Sequence, residues 1–263
     1  MGMRLAVAAL GVVCGIAFTS GLALAGTRLE TINYKQGDAA LEGWLVYDDA
    51  VQGKRPGVVI YPAWWGPSAQ DKHVAERLAK MGYVAFVADI YGKGVRPDNP
   101  KAAGAETAKY YKDRGLLLAR AQAGFDQLRN ASMVDTGKLA AIGYCFGGAP
   151  ALDLARSGAA LVDVVVFHAS LGTPTPENAK NIKAHVLAIH GAADPIVNLD
   201  AVAAFEKEMT AGNVDWQVML LGGVMHAFTD KVHVQAPDHG LKYDAAADKR
   251  SWEAMRDLFK DTL

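Results

Sequence analysis

The sequence predicts an α/β protein: a mostly parallel central sheet with helices on both faces. Three observations carry that expectation. Short apolar runs of strand length recur along the chain, and stretches with helical spacing and capping residues separate them. The 263 residues also hold no internal repeat, no low-complexity segment and no clear domain boundary, so one domain from 26 to 263 after a short leader fits the length.

The elements follow in order. "ALEGWLVYDD" (40–49) has β-rich composition and ends in a turn. "GVVIYP" (57–62) is a continuous apolar run, the pattern of a strand buried on both faces. "SAQDKHVAERLAKMGY" (68–83) is helical: Ser68 can cap it, Val74, Leu78 and Met81 space along one face, and Gly82 ends it. "VAFVADIYG" (84–92) is the next strand, and 96–130 begins with loop chemistry and continues as one or two helices. "KLAAIGY" (138–144) is a strand and "GGAPALDLARSG" (147–158) a helix. Three further strands are expected at 162–169, 184–191 and 215–223, a helix at 198–212 and a closing helix at 245–263. The stretch 170–183 is the most loop-like internal segment.

The first 25 residues have the form of a targeting segment. Arg4 supplies the positive start, an apolar stretch runs from Leu5 to Phe18, and "ALA" at 23–25 is a small-x-small cleavage site. Export with cleavage after Ala25, to the periplasm or beyond, is expected; an uncleaved membrane anchor is the alternative. Cys14 does not suggest a lipoprotein, because Val13 stands where a small residue is wanted, and it belongs to the discarded peptide. The mature chain then keeps one cysteine, Cys145, so no intramolecular disulfide can form. The formal net charge of −1, without long charge runs, gives no reason to expect nucleic acid or a membrane surface as partner. A small-molecule substrate is the expected partner, and the oligomeric state is left open. No metal cluster or dinucleotide fingerprint appears, so no cofactor is expected.

The chemistry concentrates at "GYCFG" (143–147). A nucleophile on a tight strand–turn–helix bend needs glycine on both sides, and Gly143 and Gly147 hold those places around Cys145. The helix start beneath the thiol favours a thiolate. A buried, inert cysteine at a strand end is the competing interpretation. A thiol with an ordinary pKa near ~8.5 needs a base, and the base needs an orienting carboxylate. In this type of fold their chain order is nucleophile, acid, histidine. Asp194 follows the strand in "AHVLAIHGAADPIV", and His226 follows the last strand in "VMLLGGVMHAFTD". The other histidines compete poorly. His190 reads as a structural loop contact, His168 and His185 as strand residues in the core or hydrogen-bonded, His73 as helical, and His233 and His239 as exposed. Asp200 reads as a helix cap or solvated residue.

The residues "GYCFGG", "HGAADPIV", "MHAF" and the unit "GVVIYPAWWG…HVAERLAKMGYVAFVADIYG" together resemble the dienelactone hydrolase family, over about 30–260. The resemblance implies a single α/β-hydrolase domain with little or no cap. It implies cleavage of an ester or lactone by a Cys145, His226, Asp194 triad. It further implies an oxyanion hole from the backbone N–H groups of Trp64 and Phe146, which suits the charge developing on a carbonyl oxygen. Two places depart from the family. Ala63 stands where members carry a glutamate that helps form the thiolate. Asp230 stands where dienelactone-specific members carry an arginine, so a substrate carboxylate would be repelled there. Trp64 and Trp65 suggest an apolar or aromatic substrate wall, with plain packing as the alternative. A second expectation stays open: a protein of this fold that binds a ligand or responds to oxidation at Cys145 without turnover.

Overall fold

A computed structural model describes residue 1, residues 26–233 and residues 240–263. The leader expected at 1–25 lies, apart from Met1, outside the described residues, as does His239. Eight strands and six helices follow one another in the described chain. They are β1 (Thr27–Gln36), β2 (Ala39–Asp48), β3 (Arg55–Tyr61), α1 (Ala69–Lys80), β4 (Val84–Val87), α2 (Pro100–Lys112), α3 (Arg114–Asn130) and β5 (Val134–Tyr144), then α4 (Gly148–Arg156), β6 (Asp163–Phe167), β7 (His185–Gly191), α5 (Leu199–Ala211), β8 (Trp216–Leu221) and α6 (Ala245–Thr262).

The strands form one sheet in the order β1-β2-β4-β3-β5-β6-β7-β8. β1 and β2 pair antiparallel, β2 meets β4 antiparallel, and every pairing from β4 through β8 is parallel. The mostly parallel sheet therefore matches the expectation, with an antiparallel ribbon at one edge. β1 is absent from the sequence reading for a physical reason. Most of its residues are exposed, so no apolar period announces it.

The continuous apolar runs are strands covered on both faces. Val58 and Ile60 pack with Val74 and Leu78 of α1 and Met255 and Phe259 of α6. Val59 and Tyr61 point the other way, into a cluster with Leu117, Ala121 and Phe125 of α3 and Leu152 of α4. Alternation along a strand thus feeds two cores at once. Met81 departs from the reading: it caps α1 and is exposed rather than joining the buried face. The helical stretch 96–130 is two helices, because the Asp113 side chain accepts from Leu116 N–H and starts α3 where α2 stops. Between β6 and β7 the chain forms only a short 3-10 turn (Pro176–Asn181), so no inserted domain covers the strand ends there.

Topology places the site. From β3 the chain crosses to β4 on one side, and later returns as β5 on the other side of β3. The strand order reverses between β3 and β5, and ligands in open α/β sheets gather at the carboxyl ends of strands at such a point. Tyr61 of β3 pairs with Gly143 of β5, so the loop after β3 lies beside the bend after β5.

Candidate active site

The bend after β5 depends on close backbone approach. Cys145 has φ of 52°, in the left-handed region. A Cβ on Gly147 would sit 2.0 Å from the Tyr61 carbonyl oxygen, and one on Gly143 would sit 2.2 Å from the Gly147 oxygen. These two glycines let β5 turn into a 3-10 turn and then α4 against β3. The sequence reading missed Gly148, where a Cβ would lie 2.2 Å from Ala169 Cβ, although the second glycine of "GG" marks it. Ser170 N–H donates to the Cys145 carbonyl at 3.0 Å and ties the bend to the strand next door.

Three separate loops bring Cys145, His226 and Asp194 together. His226 Nε2 lies 3.2 Å from Cys145 Sγ, and His226 Nδ1 lies 2.6 Å from Asp194 Oδ2. Asp194 is held in turn, because its Oδ1 accepts from Ile196 N–H at 2.8 Å and Val197 N–H at 2.9 Å. Burial alone would raise this carboxyl, but the hydrogen bonds from His226, Val197 and Ile196 keep it below the usual carboxylate value. Burial likewise opposes a charge on His226, yet Cys145 and Asp194 beside it hold the imidazole above its ordinary value. The loop carrying His226 is pinned from outside: His226 N–H donates to Gly240 and its carbonyl accepts from Lys242 N–H.

The group opens into a cavity of about 670 Å³ whose walls include Trp64, Trp65, Tyr111, Phe146, Ile196 and Leu241. The turn at 63–66 closes with Gly66 N–H donating to Ala63 O, and Tyr91 Oη donates to the Trp64 carbonyl at 2.9 Å. Trp64 and Trp65 pack at 5.1 Å between ring centroids. Phe146 lies in the 3-10 turn (Cys145–Gly147) that leads into α4, where N–H groups lack intrahelical partners. Ala63 lines the cavity too, so no carboxylate stands at that position beside Cys145.

The carboxylates that do line the cavity are Asp71 and Asp230, and no lysine or arginine is among its described lining residues. Asp71 Oδ2 accepts from Ser68 N–H at 2.9 Å and from Ser68 Oγ, and burial pushes its carboxyl up to about 6. The motif Ser68-x-x-Asp71 is a capping-box pattern, so a signal for Asp71 was present in the sequence. Asp230 accepts from Val232 N–H and His233 N–H, and His233 Nδ1 lies 3.0 Å from its Oδ2. Burial works against the Asp230 charge, but these contacts keep the carboxyl below its usual value.

The competing histidines have definite places. His190 Nε2 lies 2.7 Å from the Val197 carbonyl, as a structural loop contact should. His185 bonds Asp215 at the outer end of β7 with its side chain half exposed, outside the core. His233 corrects the expectation of exposure. Its ring stacks on Trp65 at 5.0 Å and 20°, so it braces the cavity wall. His168 stands one residue past β6, fully buried and lining the cavity. Its strand-like surroundings in sequence carried no signal for that place. Asp200 sits exposed in the first turn of α5, while the Asn198 side chain supplies the cap.

A parallel sheet with its elbow at the switch point, and Cys, His and Asp gathered above it, defines an α/β-hydrolase. The chain belongs to the dienelactone hydrolase family, whose model matches residues 41–263, and it is a hydrolase of the kind that acts on esters or lactones. It is 31% identical to a relative named for carboxymethylenebutenolidase in Aquifex aeolicus (strain VF5), over 79% of this chain and 89% of the relative. A dienelactone hydrolase-like promiscuous phosphotriesterase from metagenomic libraries superposes with a TM-score of 0.84 at 38% identity, covering 90% of this chain and 99% of the other. Dienelactone hydrolase from Anabaena variabilis shares the fold, with a TM-score of 0.61 at 20% identity over 88% of this chain and 98% of the other.

Proposed function

We propose that the protein cleaves the ester or lactone bond of a small, uncharged substrate, with Cys145 as nucleophile, His226 as base and then acid, and Asp194 as the group that orients His226. The observation that carries this reading is the unbroken relay at the cavity wall: 3.2 Å from Sγ to Nε2 and 2.6 Å from Nδ1 to the carboxylate. With its proton already on His226 Nε2, Sγ attacks the carbonyl carbon. The oxygen that gains negative charge is met by the N–H groups of Trp64 and Phe146. Collapse breaks the carbon–oxygen bond, and His226 returns its proton to the departing alcohol, which in a lactone stays tethered to the acyl group. Water then attacks the thioester, giving a proton to His226, and Sγ departs as a thiolate beside it as the acid leaves.

His226 supplies the base that the family glutamate would otherwise assist, so Ala63 is compatible with turnover. The cavity favours an uncharged substrate, because Asp71 and Asp230 face it and no lysine or arginine among its described lining residues answers a substrate carboxylate. Trp64 and Trp65 wall the apolar part. The carboxymethylenebutenolidase name of the relative supports a lactone among the substrates tested. The phosphotriesterase neighbour supports adding an uncharged aryl phosphotriester to the same panel.

Short p-nitrophenyl esters and uncharged lactones test the reading. Wild-type protein should turn them over, and Cys145→Ala and His226→Ala should not. Equal rates for Cys145→Ala and wild type would sink it. A thiol-alkylating probe separates the non-turnover alternative: a working triad gives pH-dependent labelling of Cys145 that His226→Ala abolishes, whereas ligand binding or sulfenic-acid formation at Cys145 without ester turnover would favour the alternative. The reading also includes export. Gly26 N–H donates to Asp49 Oδ1 at 2.6 Å, so a new ammonium at Gly26 would keep a carboxylate partner. Intact mass of the exported chain should correspond to a start at Gly26.

A further inference from the structure

We infer that His168 is a positioning residue that fixes the ring of His226 during turnover. The inference rests on the triad reading and assigns a task to a buried histidine that the reaction scheme leaves unused. His168 lies on β6's carboxyl end, one strand away from the nucleophile's strand. Its φ is 39°, in the left-handed region, which non-glycine residues seldom enter. Such a conformation persists where the surroundings over-determine it, and it clusters at working sites. Here the backbone is held by the His168 N–H, which donates to Ile189 O at 2.9 Å on the neighbouring strand.

The side chain touches the base loop at three points. Its ring meets the His226 ring at 5.1 Å and 67°, and the Phe228 ring at 5.0 Å and 80°. Its Nε2 lies 2.8 Å from Thr229 Oγ1. Thr229 is tied from the other side, because its carbonyl accepts from Gln70 of α1 at 2.8 Å. Residues 226–229 are thereby clamped between β6 and α1. Asp194 holds His226 at Nδ1, and Nε2 meets Cys145 Sγ at the longer distance of 3.2 Å. The near-perpendicular His168 ring packs against the imidazole and holds it against rotation away from Sγ. His168 itself is not in the proton relay: its Nε2 is engaged with Thr229, and burial together with the neighbouring His226 favours its uncharged form.

The test uses the full mature chain and an uncharged p-nitrophenyl ester, with Cys145→Ala in the same assay. Misplacing a catalytic group by about 1 Å costs on the order of 100-fold. His168→Ala should therefore lower kcat roughly 10- to 100-fold with KM unchanged, and should displace the pH profile of Cys145 alkylation. His168→Phe, which keeps the ring contact but not the hydrogen bond, should recover part of the loss. An unchanged kcat and alkylation profile in His168→Ala, or a change confined to KM, overturns the inference. If His168→Ala does not fold, Thr229→Val removes only the hydrogen bond; it should lower kcat and displace the profile, and wild-type values for both would overturn the inference. Should Cys145→Ala retain activity, the triad reading fails; should it be dead while His168→Ala is fully active, only the role of His168 fails.

Discussion

Asp194 is a buried carboxylate whose charge is kept by its hydrogen bonds, with one oxygen on His226 and the other on two backbone N–H groups. Asp194→Asn keeps the shape but loses the charge and the control of the His226 tautomer. It should lower kcat/KM about 10³- to 10⁴-fold in the ester assay while the protein stays folded. Asp71 is the opposite case. Its folded value is raised by burial to about 6, above the unfolded value, so the folded state holds the proton more tightly. Its contribution to stability is therefore greatest below the unfolded value near ~4 and declines as pH rises through about 6. Asp71→Asn should remove that share of the decline, up to about 3 kcal/mol, in urea unfolding measured between pH ~4 and ~7. Asp230 bears on selectivity. Asp230→Asn should raise kcat/KM for a carboxylate-bearing ester relative to its methyl ester by roughly tenfold, which corresponds to about 1.4 kcal/mol.

At the scale of elements, the bend between β5 and α4 is the most constrained joint in the site. A Gly147→Ala side chain would meet backbone atoms of Tyr61 and Pro62 at 2.0 and 2.6 Å, which cannot rotate away. Overpacking usually costs about 1–3 kcal/mol, and a clash with backbone belongs at or beyond the upper end. Gly172→Ala in the open loop, with nothing within 4 Å, should lie within about 0.5 kcal/mol of wild type. Chemical denaturation of both variants gives the comparison, and similar losses in the two would contradict the elbow argument. The loop after β8 is the second constrained joint. It carries His226, Thr229, Asp230 and His233 in succession and joins His226 to the Trp65 wall through the stacked His233 ring.

Across the whole molecule, one face of the sheet is stitched by a buried charge network. Arg156 of α4 pairs with Glu208 of α5 through two hydrogen bonds, at 2.7 and 2.9 Å, and with Asp153 at 3.2 Å. Arg114 of α3 grips the same Asp153 at 2.7 and 2.8 Å. Three helices, α3, α4 and α5, are thus tied together on one face of the sheet. Removing Glu208 leaves the buried Arg156 with Asp153 as counterion, which Arg114 already shares, so Glu208→Ala should destabilise the fold by about 3 kcal/mol, the low end for a broken buried pair, in a denaturant titration. None of these four side chains lines the cavity, so the folded fraction of that variant should keep the wild-type KM.

The alternation of strand and helix and the elbow glycines are local patterns, and Cys145, Asp194 and His226 are each marked locally by the end of a strand. The sequence by itself therefore determined the fold class and the three residues that meet in the site. β1 escaped it because an exposed edge strand has no apolar period to announce it. His168 is buried and hydrogen-bonded as expected, but its contact with the His226 loop escaped it, as did the place of His233, because those partners come from distant segments. Trp65 lies far earlier in the chain than the histidine that stacks on it, and Thr229 far later than His168. Trp64, Trp65 and Asp230 were already candidates for the cavity in the sequence; only the tertiary structure added Asp71 and the buried His168 against His226. Burial and the meeting of loops across strand ends are properties of the folded chain, and they set the charge of the cavity and the hold on His226.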